Sequence, residues 1–106
     1  MIKVHFPIRA DVTLNSRAHW SHKARKAREH KDIVGWMLKN RAPPTPPFVI
    51  RLIRVGPRRM DQDNFVTSLK AVQDGVAAWI GIDDGKLTWE YEQLSGPYGV
   101  IMEIDE

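Results

Sequence analysis

An α+β domain, with a mixed sheet and two helices packed on it, is the architecture this sequence predicts. Three observations lead there. The N-terminal segment alternates apolar and polar residues, the period of a half-buried strand, and further strand-like segments follow in the second half. Two internal segments repeat apolar residues at helical spacing. Proline and glycine punctuate these segments without opening a linker between domains. The 106 residues therefore read as a single domain over 1–106. A chain this short buries only about two-thirds of its unfolded surface, so a partner copy would add stability.

The elements follow in the order β-α-β-α-β-β. Ile2, Val4 and Phe6 alternate with Lys3 and His5 in a first strand. Arg9 to Trp20 shows no period and reads as an ordered loop. Ser21 is placed to cap a helix running to about Arg41, with Ala27, His30, Ile33, Val34, Met37 and Leu38 on its core face. "APPTPP" (Ala42 to Pro47) ends that helix in a stiff connection. "FVIRLIRV" (Phe48 to Val55) is the second strand. The second helix runs from Asn64 to Ile80, with Asp63 as its N-cap. Its residues Phe65, Leu69, Val72, Val76, Trp79 and Ile80 fall within an arc of about 100°. "LTWEYEQL" (Leu87 to Leu94) and "GVIMEI" (Gly99 to Ile104) are the last strands. The turn "SGPYG" between them predicts an antiparallel hairpin.

Charge is unevenly distributed. Residues 1–60 hold 14 Lys/Arg against 3 Asp/Glu, whereas residues 61–106 hold 2 against 10. A basic half suits a polyanion such as nucleic acid, and an acidic half suits solubility or a cation. The plainer alternative is that folding interleaves the halves into a mixed surface. The chain has no cysteine, which excludes disulfides and zinc–thiolate sites. It has no apolar run of membrane-span or signal-peptide length, so the expectation is a soluble, cytoplasmic protein.

The chemistry concentrates between Arg58 and Gly85, in "RRMDQDNFVTSLKAVQDGVAAWIGIDDG". Five aspartates gather there: Asp61, Asp63, Asp74, Asp83 and Asp84. Like charges repel, so such a cluster is normally avoided unless a cation binds it. In an extended segment the two-residue spacing of Asp61 and Asp63 puts both carboxylates on one side. Asp83 and Asp84 follow a helix roughly 25 Å long. They reach the first pair only if the strand after the helix returns beside the strand before it. Two or three carboxylates would hold one or two hard divalent cations, which activate water and stabilise a leaving oxygen at phosphorus. Thr67, Lys70 and Asp74 lie opposite the core stripe, flanked by Ala71, Ala77 and Ala78. A lysine there neutralises charge on a phosphoryl group. The alternative for Lys70 and Asp74 is an ordinary exposed i,i+4 pair.

The motifs "RRMDQDN", "LKAVQDG" and "GIDD" resemble those of the RusA family of Holliday-junction resolvases. The likeness extends more weakly to the first strand, the loop around Asn15, the basic helix and the element order. That family's members are small, homodimeric, Mg2+-dependent endonucleases that cut four-way DNA junctions symmetrically and are common in phages and prophages. The resemblance implies that Asp61, Asp63 and Asp84 bind Mg2+ or Mn2+ and that Lys70 is the essential lysine. It implies supporting roles for Asn64, Asp74 and Asp83, a role in DNA recombination and repair, and a bacterial or phage-infected cytoplasm. One departure stands out. Well-known members place the lysine three residues after the asparagine, whereas Lys70 lies six after Asn64, with Thr67 in the nearer position.

Lys23, Arg25, Lys26 and Arg28 of the first helix, with Lys31, and Arg58 and Arg59 before the acidic pair, are the expected DNA contacts. Phosphate contacts of this kind supply affinity that falls with salt. Trp36, off the core stripe, suits a dimer interface, a stacked base or packing under the proline loop. His19 and His22 lack further ligands for zinc and read as surface or DNA-facing residues. The competing functional class is a non-catalytic DNA-binding or phage assembly protein that keeps the fold, which would be expected to have lost an aspartate or the lysine, whereas the acid set here is intact. A D-x-D nucleotide-sugar transferase is disfavoured, because 106 residues leave no room for that fold.

Overall fold

The alternation read at the N-terminus becomes β1 (Ile2–Phe6), and β2 (Val49–Gly56), β3 (Thr88–Ser95) and β4 (Gly99–Asp105) complete a four-stranded sheet in the order β1-β4-β2-β3. This is a computed structural model that describes residues 1–11 and 20–105. The expected loop around Asn15, and His19, lie outside the described residues. β4 pairs antiparallel with both β1 and β2, and β2 pairs parallel with β3, so the sheet is mixed as expected. α1 (Trp20–Leu38), α2 (Gln62–Ser68) and α3 (Lys70–Ile80) complete a single α+β domain. Among the described residues no helix is long and apolar enough to cross a membrane.

The predicted β3–β4 hairpin does not form, because β2 lies between those strands. The four Cα steps from Ser95 to Gly99 reach about 15 Å, enough to straddle two strand spacings of about 4.8 Å each. β2 ends at Gly56, which clears the way, and the Gly96 amide donates to the Gly56 carbonyl at 3.0 Å. The chain reverses where its turn residues predict, but β4 takes β2 rather than β3 as its neighbour.

Val4, Phe6, Ile50, Leu52, Val100, Met102 and Ile104 on one sheet face join Val34 and Leu38 of α1 and Phe65, Leu69, Val72 and Val76 of the second helical segment in one buried core. The opposite sheet face carries charge. Arg51 pairs there with Glu103 at 3.4 Å and Glu90 at 3.7 Å, and Lys3 pairs with Glu103. On this face the basic and acidic halves of the sequence do interleave.

The expected second helix is two helices. Ser68 Oγ donates to the Phe65 carbonyl at 2.6 Å and Thr67 Oγ1 to the Asp63 carbonyl at 2.8 Å. Such back-bonding by consecutive hydroxyls competes with the helical ladder and bends it. The Leu69 amide accordingly turns to the Val66 carbonyl, three residues back. The segment begins earlier than expected as well. Asp61, with extended backbone, is the N-cap residue, and Asp63 lies in the first turn. Gly81 closes α3 at φ 81°, a left-handed conformation that glycine adopts without a Cβ penalty.

α1 also departs in detail. It begins at Trp20, so Ser21 lies inside it, and it ends at Leu38, short of Arg41. Ala27 is exposed, and Ala77 of α3 is buried. α1 packs on α3 through Gly75, where an added Cβ would stand 3.0 Å from both Val34 Cβ and Val34 Cγ1. Val34 is β-branched and cannot rotate away from a contact with its own Cβ. Gly75→Val is therefore expected to cost about 1–3 kcal/mol, read by urea denaturation, even though valine has the better helix propensity.

His30 is buried on the inner face of α1, as its place in the core stripe predicts. Burial first, and then Lys26, push its pKa below the ordinary value of 6.5, against weaker opposing pulls from Asp11 and Glu29. The folded state thus resists a proton that the unfolded chain accepts. Stability from this group is full above pH 6.5 and is lost as pH falls towards the folded value. The melting temperature is expected to drop between pH 7 and pH 5, and His30→Leu is expected to flatten that drop.

Candidate functional site

The loop after β2 is anchored by side chains from the sheet. Arg54, buried on β2, donates from Nε to the Ala10 carbonyl and from Nη1 to the Arg58 carbonyl, both at 2.8 Å. Gln93 of β3 brackets Met60, accepting its amide proton at 2.9 Å and donating to its carbonyl at 2.8 Å. These bonds fix the backbone immediately before Asp61. Both Asp61 and Asp63 are exposed, at the N-terminal end of α2, where the helix dipole favours carboxylates. They do not share the extended segment expected of them, because Asp63 is already helical.

Asp84 opens a 3-10 turn (Asp84–Lys86) ahead of β3. Its Oδ2 accepts from Lys70 Nζ at 2.7 Å and from Gln73 Nε2 at 3.2 Å. Lys70 also pairs with Asp74 Oδ1 at 3.1 Å, so one ammonium bridges two carboxylates. Tyr91 Oη donates to Gln73 Oε1, and Trp89 Nε1 donates to the Asp84 carbonyl at 2.9 Å. The bond to Lys70 holds the Asp84 carboxyl below its ordinary range, and the same bond raises the Lys70 ammonium above its own. Asp83 is exposed beside this group, and its side chain adds a weaker downward pull on Asp84.

The crossover anticipated from the acidic spacing is present, since β3 returns parallel to β2. It brings the two acid groups over the same strand without merging them. Met60 sits over Gln93, whereas Asp84 sits over Trp89 and, through Gln73, over Tyr91. Those positions are two to four residues apart, roughly 7 to 13 Å along a strand. Among the described residues no group of three or more His, Cys, Asp or Glu side chains is arranged to hold a metal ion. The group that does form is Lys70, Asp74 and Asp84, with Gln73 and Tyr91 behind it.

Basic residues of α1 border it. Lys23 and Lys26 line a cleft of about 140 Å3 with Thr67, Lys70 and Asp74. Lys31 lines a neighbouring one of about 360 Å3 with Asp74, Asp83 and Asp84. Arg25 and Arg28 are exposed and line neither cleft. Arg58 is exposed, and Arg59 edges a separate cleft with Gln93 and Ser95. His22 is half-buried. Trp36 is 74 % exposed, so it does not pack under the proline loop; Trp79 instead reaches the residue before that loop, its Nε1 donating to the Arg41 carbonyl at 2.9 Å.

Sequence reasoning missed Arg54, Gln73, Tyr91, Trp89 and Gln93. A signal for three of them was available. Strand alternation puts Trp89, Tyr91 and Gln93 on the helix-facing side of β3, and each carries a polar tip where an aliphatic residue would suffice. No family model matches this chain, and no curated protein matches it.

Proposed function

We propose that this chain is a Mg2+-dependent, structure-selective endodeoxyribonuclease that resolves four-way DNA junctions in recombination and repair, acting as a homodimer in a bacterial or phage-infected cytoplasm. One observation carries the reading. Lys70 bridges Asp74 and Asp84 at the edge of a cleft that Lys23 and Lys26 line, with Asp61 and Asp63 at the start of the same helical segment. Lysines beside carboxylates suit a phosphate that must be gripped and a cation that must be held close to it. The resemblance in "RRMDQDN", "LKAVQDG" and "GIDD" points the same way.

By chemistry alone the donor set suits a hard divalent ion, because Asp61, Asp63 and Asp84 offer carboxylate oxygens only; sharing one ion would require Asp84 to leave Lys70 and close on the exposed pair. Those three would hold Mg2+ or Mn2+, which when bound supplies an activated water and charge neutralisation at phosphorus. Lys70 would then meet the phosphate that its present carboxylate partners leave to it. Lys23, Arg25, Lys26, Arg28, Arg58 and Arg59 would contact backbone phosphates. Two symmetric cuts in a two-fold junction call for two sites related by a two-fold axis.

The second reading is a non-catalytic DNA-binding or phage assembly protein. It is favoured by the placement of the residue before Asp61 over Gln93, two to four strand positions from the Tyr91 and Trp89 that Asp84 sits over. A panel of four-way junction, flap and duplex DNA, each with Mg2+, Mn2+ or EDTA, separates the two. The nuclease reading expects cleavage of the junction in preference to duplex. Junction binding without cleavage of any of the three under either metal supports the second reading.

A further inference from the structure

The face of α1 turned away from the core carries Asp32, Gly35 and Trp36, and Lys39, in the turn that follows Leu38, extends their i, i+3, i+4 spacing into one stripe. All four are exposed, Trp36 by 74 %, and the Lys39 ammonium lies 4.7 Å from the centre of its ring system. Beside the stripe runs an apolar groove of about 700 Å3 between α1 and α3, floored by Gly35, Gly75 and Ala78 and walled by Trp36 and Trp79. A Cβ placed at Gly35 would meet nothing within 4 Å, so the helix surface there is open to close approach.

We propose that this stripe is the contact between two copies of the chain, with their α1 helices antiparallel across a two-fold axis lying between Gly35 and Trp36. The charges select this arrangement. An axis there exchanges Asp32 with the partner's Lys39, and each pairing occurs twice. Among the described residues no ion pair engages Asp32 within its own chain. The same axis carries the basic N-terminal half of α1 past the end of the partner's helix at Leu38, so that half never faces its own copy. A parallel pairing would instead set Asp32 on Asp32 and Lys39 on Lys39. Glycine at the crossing lets the backbones approach, and each Trp36 enters the partner's small-residue groove against Trp79. An indole buried in this way removes roughly 150–250 Å2 from water, the kind of central aromatic anchor that dominates interface energetics.

This choice of face rests on the groove and its charges, not on the nuclease reading. A monomeric wild type would count against both readings, whereas the charge-reversal and Trp36 arms test this face alone. Sedimentation velocity on the full chain is expected to show a dimer at micromolar concentration. Asp32→Lys and Lys39→Asp, each alone, set like charges together at both pairings and are expected to raise the dimer dissociation constant at least about tenfold. An equimolar mixture of the two variants restores both pairings and is expected to recover the dimer. Trp36→Ala is expected to give a monomer, with circular dichroism showing the fold retained. A monomeric wild-type chain, a single charge reversal that dimerises like the wild type, or a mixture that stays monomeric would each overturn the proposal. So would a Trp36→Ala chain that still dimerises but loses affinity for single-stranded DNA, which would mark the groove as a base-stacking surface.

Discussion

Asp61→Asn is expected to abolish junction cleavage, a fall of several orders of magnitude, while leaving junction binding intact or tighter. The structure makes this substitution unusually clean. Asp61 occupies the N-cap position, yet its side chain makes no capping hydrogen bond, and its carbonyl is what accepts the Phe65 amide. Asparagine caps helices as well as aspartate does, so the helix start should survive. What changes is a negative charge at an exposed position beside the proposed path of the phosphates. Losing that charge would remove a proposed metal ligand and a source of repulsion for DNA. The measurement is single-turnover cleavage together with a gel-shift affinity for the same junction. An Asp61→Asn chain that cleaves like the wild type would remove Asp61 from the metal site.

Lys70→Ala is expected to lower the single-turnover rate by about 10²-fold or more, with little change in junction affinity. Lys70 is tied to Asp84 and Asp74, but its side chain remains 58 % exposed. Exposed pairs of this kind contribute at most about 0.5–1 kcal/mol, so the variant should fold. Gln73 still donates to Asp84 when the lysine is gone, which keeps the carboxylate placed. Because its partners raise the lysine's pKa above 10.5, it stays charged through neutral and mildly alkaline pH. The wild-type rate should therefore show no loss from Lys70 deprotonation in that range. Two other results are distinguishable. If affinity and its salt dependence fall while the bound-state rate survives, Lys70 only grips phosphate. If neither moves, it is a solvated ion-pair partner.

Much of this fold was legible because period and burial coincide. Val4 and Phe6, or Val72 and Val76, are apolar at the spacing their element imposes, and each is buried where that spacing points. The return of β3 beside β2 was also within reach, since only that return brings Asp83 and Asp84 back towards the strand that precedes Asp61. The β3–β4 hairpin misled because a turn sequence specifies a reversal of direction, not the neighbour. Only the end of β2 at Gly56 leaves room for "SGPYG" to straddle it. The break at Leu69 was hidden because the apolar stripe from Phe65 to Ile80 continues across it, while the hydroxyls that break the ladder, Thr67 and Ser68, carry no periodic signal. At the site, the Lys70–Asp74 spacing gave the observed ion pair directly. The Lys70–Asp84 bond depends on a 3-10 turn fourteen residues away, positioned by Trp89, Gln73 and Tyr91, and no local pattern encodes it. Arg54 was hidden for a related reason. A charged residue in a strand reads as outward-facing, but this one points inward to hold two loop carbonyls.

The central claim is that this chain hydrolyses phosphodiester bonds at a DNA branch point with the help of a divalent ion. It is tested most directly by single-turnover incubation of the wild-type chain with a four-way junction whose strands are labelled one at a time. With Mg2+, the account predicts paired nicks in two opposing strands at symmetric positions, and none when EDTA replaces the metal. A junction that is bound but stays uncut on all four strands, with Mg2+ and with Mn2+ alike, would contradict it.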